Sequence, residues 1–293
     1  MNPRNILEVR DLKKYFPIHT GLLKRLIGHV RAVDGVSLSI QERDSFGLVG
    51  ESGCGKTTLG RCLLRALDPT AGSMMFRLSD GRERDIAVVG RQELKDVRKE
   101  MQIIFQDPYS SLNPRMTIQQ IIAEPLICNH MLSGKALKDR VSELTELVGL
   151  DLRHLERYPH AFSGGQRQRI GIARALATKP RFLVCDEAVS ALDVSIQAQV
   201  LNLLADLKHQ LGFSFLFISH DLGVIRHIST TVGVMYVGKL VEVAPTVELF
   251  DRPLHPYTQA LLSARPTMDP ANKTRRILLE GEVANPAHPP SGC

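Results

Sequence analysis

Gly50-Glu51-Ser52-Gly53-Cys54-Gly55-Lys56-Thr57-Thr58 is the stretch on which the reading of this chain turns. It follows a short apolar run, Ser45-Phe46-Gly47-Leu48-Val49, and opens a helical pattern with Leu59, Cys62, Leu63, Ala66 and Leu67 on one face. Strand, glycine-rich loop and helix is the context that a phosphate-binding loop requires. Glycines let the backbone curl so that successive N–H groups point inward onto phosphate oxygens. The first helical turn adds unpaired N–H groups and the positive end of its dipole. Lys56 reaches the β- and γ-phosphates, and the Thr57 hydroxyl can ligate Mg²⁺. The competing account is a glycine-rich turn that binds nothing, and the Lys-Thr pair at the right offset weighs against it. The stretch predicts a nucleoside triphosphate site.

Around that loop the bulk numbers set bounds. With 293 residues and 43% hydrophobic content the chain can hold one large domain or two lobes. No apolar run approaches the ~20 residues needed to span a bilayer. Met1 to Phe16 is charged and lacks a secretory apolar segment. The expectation is a soluble cytoplasmic chain whose membrane role, if any, comes through a partner. Five scattered cysteines (Cys54, Cys62, Cys128, Cys185, Cys293) fit a reducing compartment rather than a disulfide framework. The net charge of +6 is spread over interleaved basic and acidic residues, which reads as a solvated mixed surface rather than a nucleic-acid or membrane patch.

Along the chain, residues 5–12 and 32–40 alternate apolar and polar positions and predict paired strands. Pro17 to Arg31 between them reads as a basic loop, with Lys24, Arg25 and Arg31. Tyr15 and Phe16 stand just before it, where an aromatic ring could stack on a nucleobase or simply be an edge-strand aromatic. Asp68 to Gly72 is a breaker cluster, and Met101 to Phe105 is strand-like, ending at Gln106. From about Ile118 to Gly149 the pattern is helical, with Gly149 suited to a C-terminal cap. Ser163-Gly164-Gly165-Gln166 precedes a helix carrying Ile170, Ala173, Leu176 and Ala177 on one face, with the spacing of a capping box. Two glycines weaken a helix start unless something must approach closely, and an anion is the natural candidate.

Phe182 to Cys185 reads as a strand buried on both faces, with Asp186 and Glu187 at its carboxyl end, where α/β sheets place their ligands. A helix from about Ser195 to Leu211 stops at Gly212, and a second buried strand, Phe215 to Ser219, ends at His220. Val232 to Val243 predicts two strands turning at Gly238-Lys239. Beyond Ala244-Pro245 the chain reads as proline-rich and less regular.

In this order the motifs resemble the nucleotide-binding subunits of ABC transporters over nearly the whole chain. Gly50 to Thr58 matches Walker A, and Gln106 the Q-loop glutamine. Phe162 to Gln166 matches the signature, with Phe where Leu is commonest. Phe182 to Asp186 matches Walker B, followed by the catalytic Glu187. Ser190-Ala191-Leu192-Asp193 matches the D-loop, His220 the switch histidine, and Phe16 the aromatic position of the A-loop, with Tyr15 second choice. The implied fold is α/β: a RecA-like P-loop core with an antiparallel β subdomain (1–105 and 160–244), a helical subdomain (106–159) and a C-terminal extension (245–293). Within the tail, Glu248-Leu249-Phe250, His255-Pro256-Tyr257-Thr258, Ala260-Leu261-Leu262 and Asn285 through Cys293 look like the extension of the dipeptide, oligopeptide and nickel importers. Ala188-Val189 in place of Pro-Thr is similar to their F-type ATPase subunit. That family's tail often continues into further cysteines implied to hold an iron–sulfur cluster. Cys293 alone assigns no ligand set, so the chain is either a fragment or lacks the cluster.

The resemblance implies the site. ATP lies on Gly50 to Thr58, Phe16 and Gln106 of one chain. Ser163, Gly164, Gly165, Gln166 and Asp193 of this chain close, head to tail, over the nucleotide of a second ATPase subunit, a D-type sister by the F-type resemblance, with a homodimer left open by the sequence. Asp186, Thr57 and Gln106 hold Mg²⁺, Glu187 polarises water, and Lys56 and His220 contact the γ-phosphate. Two transmembrane permease subunits and an extracytoplasmic peptide-binding protein complete the implied importer at the cytoplasmic face of a bacterial inner membrane, with no nucleic acid. Two rivals stand beside this. A soluble ABC ATPase of DNA repair or translation would carry coiled-coil inserts or tandem ATPase units, which the sequence lacks. A non-catalytic regulatory partner would have a degenerate site, against which intact Lys56, Asp186, Glu187 and His220 argue.

Overall fold

In a computed structural model that describes residues 1–2, 4–21 and 25–264, with 277 and 287, the chain divides into two compact units. The first comprises 1–77, 81–89 and 217–293, the second 78–80 and 90–216. Lys24 and the stretch Asn285 to Cys293, apart from Ala287, lie outside the described residues.

The first unit opens with strands β1 (Asn5–Thr20) and β2 (Arg25–Gln41), paired antiparallel with Val9 opposite Leu38 and Phe16 opposite Val30. Strand β3 (Ser45–Val49), buried at every position, leads into helix α1 (Lys56–Leu63). Strands β4 (Ala71–Arg77) and β5 (Glu83–Asp85) extend the antiparallel sheet in the order β2-β1-β4-β5. Its inward face carries Ile6, Leu7, Val9, Leu12, Val36, Ile40, Met74 and Phe76, all essentially without exposure.

The second unit contains α2 (Arg91–Glu100), β6 (Met101–Ile104), α3 (Ile118–Cys128), α4 (Gly134–Leu147), α5 (Gly164–Leu176), β7 (Phe182–Asp186) and α6 (Val194–Leu211). β6 and β7 run parallel, Met101 opposite Phe182 and Ile104 opposite Cys185. Continuous apolar strands of this kind need both faces covered. Strand β8 (Ser214–Ile218) returns the chain to the first unit. There α7 (Leu222–Ile228), β9 (Thr231–Tyr236), β10 (Lys239–Pro245), α8 (Thr246–Asp251) and α9 (Pro256–Ser263) follow. β9 lies parallel to β3, with Leu48 opposite Gly233, and antiparallel to β10.

Several expectations need revision. Within the expected loop, Pro17 to Thr20 and Arg25 to Arg31 are strand, the paired ends of β1 and β2. Leu26 and Ile27 there are 51% and 61% exposed, so no buried face imposes the alternation that announces a strand. Helix α1 stops at Leu63, before Ala66 and Leu67. Arg65 takes φ 52°, and the Ala66 N–H donates to Arg61 O at 2.9 Å, a helix ending made without the usual glycine.

The helical span 118–149 is two helices, broken after Asn129 where His130 has φ 52°. Gly149 (φ 71°) and Gly212 (φ 72°) do end helices, as their positions predict. The β9–β10 turn is Val237-Gly238, both with positive φ, one residue before the predicted pair. Between Thr246 and Ser263 the chain is more regular than expected, since Pro256 occupies the first turn of α9 and starts that helix instead of breaking the chain.

That last helix is pinned by a carboxylate. Glu242 of β10 accepts the N–H groups of Leu254 (2.8 Å) and His255 (3.0 Å), and the His255 ring caps α9 by accepting the Tyr257 N–H at 3.1 Å. Burial raises the Glu242 pKa, but the bonds to its charged form outweigh that and hold it below the usual range. Its contribution is therefore present at neutral pH and lost as pH falls through that lowered value. Glu242→Gln is expected to cost about 1 kcal/mol, read as a drop in Tm at pH 7 that shrinks towards acid pH.

Candidate functional site

The loop predicted to hold phosphate lies in the first unit, threaded between β2 and β9. A Cβ on Gly55 (φ 109°) would stand 2.0 Å from Ala32 O, and one on Gly50 would stand 2.1 Å from Met235 O. Neither backbone oxygen can give way, so both positions require glycine. Gly53 has open space around it and needs glycine only for its φ of 82°. The β9–β10 turn holds the loop from outside, where Gly238 N–H donates to Cys54 O at 2.9 Å.

Lys56 is 4% exposed, with its ammonium folded back across the loop onto Gly50 O and Glu51 O, each at 2.8 Å. Cys54 Sγ lies 3.7 Å from the same nitrogen, and burial raises the thiol despite the nearby cation. Gly55 stands at the N-cap of α1 and, having no side chain, makes no capping bond to the first turn, whose N–H groups suit an anion. Ser52 and Gly53 are exposed; Thr57 and Thr58 are half-buried on the first turn. His220, at the end of β8, is exposed in this same unit, and the following Ser219 to Asp221 turn is tied to β3 by Ser219 N–H donating to Leu48 O at 3.1 Å.

Of the two aromatic candidates, Phe16 shares a face of β1 with Lys14, whose Nζ lies 5.0 Å from its ring and donates to Asp68 O beyond α1. Tyr15 points the other way, donating to the Asp34 carboxylate. Burial and that carboxylate push its phenol up to about 12. The geometry therefore favours Phe16 as the ring on the α1 side.

The remaining predicted residues lie in the second unit. Asp186 is buried at the end of β7, and Glu187 follows it, half-buried, with φ 48°. A side-chain-bearing residue in the left-handed region is strained, and such strain collects at functional sites. Gln106 Nε2 donates to Glu187 Oε2 at 2.8 Å, so two residues 81 positions apart meet. Asp193 is exposed at the N-cap of α6 without a capping bond.

Ser163 and Gln166 form the predicted capping box, Ser163 N–H donating to Gln166 Oε1 at 3.1 Å and Gln166 N–H to Ser163 Oγ at 3.4 Å. The glycine pair has a reason inside the chain as well. A Cβ on Gly165 would meet Ile196 Cγ2 at 2.4 Å, and one on Gly164 would meet Leu192 Cδ2 at 3.3 Å. What approaches Gly165 closely is α6 of its own unit.

Sequence reasoning missed three contacts. Gly238 holds the phosphate loop, Tyr257 accepts the Glu51 N–H at 3.0 Å, and Arg167 of α5 sits 4.1 Å over the Tyr109 ring. Only the tail motif containing Tyr257 carried a visible signal. Among the described residues no cluster of three His, Cys, Asp or Glu side chains is placed to hold a metal ion, and no helix is long and apolar enough to cross a membrane.

A buried lysine clamped over a glycine loop between strand and helix marks a phosphate-binding-loop protein, and the fold as a whole is that of an ATP-binding cassette. Two solved structures share it at 24% identity. They are the ATP-binding cassette MJ0796 in a dimeric post-hydrolysis state with ADP and Pi (TM-score 0.70, 82% of this chain and 98% of that one) and CbiO1 of Clostridium perfringens (TM-score 0.71, 85% and 92%). The ABC transporter family profile matches residues 33–190, and that of the oligopeptide/dipeptide transporter C-terminal region matches residues 241–293. The oligopeptide transport ATP-binding protein AppF of Bacillus subtilis is 52% identical over 295 residues, covering 100% of this chain and 88% of AppF. The dipeptide transport ATP-binding protein DppF of Escherichia coli is 47% identical over 290 residues, covering 98% and 84%. The chain belongs to the ABC transporter family, among the ATP-binding proteins of its oligopeptide and dipeptide group.

Proposed function

We propose that this chain hydrolyses ATP to power an ABC importer of peptides. The observation that carries the reading is the Lys56 ammonium, buried and fixed on two carbonyls of an uncapped phosphate loop. The peptide cargo follows the names of AppF and DppF.

In this reading Gly50 to Thr58 wrap the phosphates of ATP and Phe16 stacks on its base. Lys56 and His220 meet the γ-phosphate. Glu187 holds the attacking water and takes its proton as the bond from the γ-phosphorus to the ADP oxygen breaks. Thr57, Asp186 and Gln106 would hold Mg²⁺, which neutralises charge on the β- and γ-phosphate oxygens when bound. Oxygen donors suit that hard cation, and Asp186 is buried at a strand end. Ser163, Gly164, Gly165, Gln166 and Asp193 close over the nucleotide of a second, D-type ATPase subunit packed head to tail. Catalysis is then positioning plus electrostatic stabilisation.

The partners are two transmembrane permease subunits and an extracytoplasmic peptide-binding protein, so the chain works peripherally at the cytoplasmic membrane face. No iron–sulfur role is assigned. The test is to purify the assembled complex with its binding protein, measure ATP hydrolysis, and identify the bound cargo by mass spectrometry. Peptide in the binding protein and peptide-stimulated hydrolysis are expected. Hydrolysis stimulated by DNA and indifferent to peptide would replace this reading with a nucleic-acid one.

A further inference from the structure

The peptide group joining Gly50 to Glu51 is held at both edges. Its carbonyl accepts from Lys56 Nζ at 2.8 Å, and its N–H donates to Tyr257 Oη at 3.0 Å. Tyr257 comes from α9 in the C-terminal extension and is 4% exposed. Its ring lies 4.5 Å from that of Tyr236, next in β9 to Met235, whose carbonyl abuts Gly50. Burial pushes its phenol well above the usual range, so the hydroxyl stays neutral and can accept the N–H at physiological pH. The helix that carries it is fixed by the His255 cap and by Glu242. A bonded path therefore runs from β10 through α9 and Tyr257 to the peptide that seats Lys56.

A peptide tied at one edge can rotate, and rotation of this one would withdraw the Gly50 carbonyl from the ammonium. We propose that Tyr257 is a positioning residue of the nucleotide site, whose hydroxyl locks the Gly50–Glu51 peptide so that Lys56 is presented to the incoming β- and γ-phosphates. The extension thus acts on the nucleotide site of its own chain. This rests on Gly50 to Thr58 being a phosphate cradle. The alternative is that Tyr257 merely packs α9, its hydroxyl incidental.

Tyr257→Phe in the full chain separates the two, because the ring and its packing on Tyr236 stay. Losing one hydrogen bond predicts a rise in the ATP Kd of roughly 2- to 10-fold. The KM for ATP should rise with it while kcat at saturation changes less. Amide exchange at Glu51 without nucleotide should quicken. Glu242→Gln, acting from a distance through α9, should move Kd the same way by less. A lowered Tm with parental Kd and parental Glu51 exchange in Tyr257→Phe would overturn the assignment and leave only packing. The two failures are separable. Parental ATP affinity in Lys56→Ala would overturn the cradle itself, whereas lost affinity there beside parental affinity in Tyr257→Phe would overturn only the role of Tyr257.

Discussion

Glu187→Gln should bind ATP with near-parental affinity and lose about 100-fold or more of turnover, the range that removing a general base costs. The substitution is nearly isosteric, and its surroundings predict that it folds. The backbone at 187 is held from outside the side chain: Glu187 O accepts the Ser190 N–H at 3.1 Å and the Ser190 hydroxyl at 3.0 Å, while β7 fixes the preceding residues. A Gln there can still accept from Gln106 Nε2 through its amide oxygen, so the φ of 48° has no new reason to relax. What it cannot do is take a proton from water. Binding followed with a fluorescent ATP analogue and hydrolysis followed by phosphate release divide the two properties. Parental turnover would remove Glu187 from the role given to it, and lost binding would show that its charge serves the nucleotide instead.

What could be read in advance follows from which physical signals are local. Strands β3 and β7 announce themselves because a strand covered on both faces must be apolar throughout, and each is buried at every position. The capping box at Ser163 and Gln166 spans four residues and is equally plain. The paired strand ends at 17–20 and 25–31 carry no signal because neither face meets a core, so nothing enforces alternation. The end of α1 was invisible because Arg65 takes a left-handed conformation that a sequence marks only when glycine supplies it.

Gly165 has a second reason beside the one its sequence offers: the glycine pair suggests a ligand, and inside the chain Ile196 needs the room as well. Tyr257 and Glu51 stand 206 positions apart, and their bond depends on α9, a helix that proline-rich composition had hidden. Local chemistry was legible; contacts made by tertiary packing were not.

Lys56→Ala should weaken ATP binding by roughly 10- to 100-fold, since a hydrogen bond to a charged group is worth about 1.5–3 kcal/mol. The ammonium is buried, and its two partners at 2.8 Å are the neutral carbonyls of Gly50 and Glu51. A phosphate at the loop would add a charge-assisted bond of a kind those carbonyls do not supply. Removing the ammonium should therefore cost affinity more than stability. Lys56→Arg is expected not to restore binding, because the planar guanidinium needs room beside Cys54 Sγ, already 3.7 Å from the ammonium nitrogen. Titration of a fluorescent nucleotide into both variants, with Tm measured without nucleotide, decides the matter. Parental affinity in the Ala variant would overturn Gly50 to Thr58 as the phosphate site, and recovery in the Arg variant would mean that charge suffices without the compact geometry of lysine.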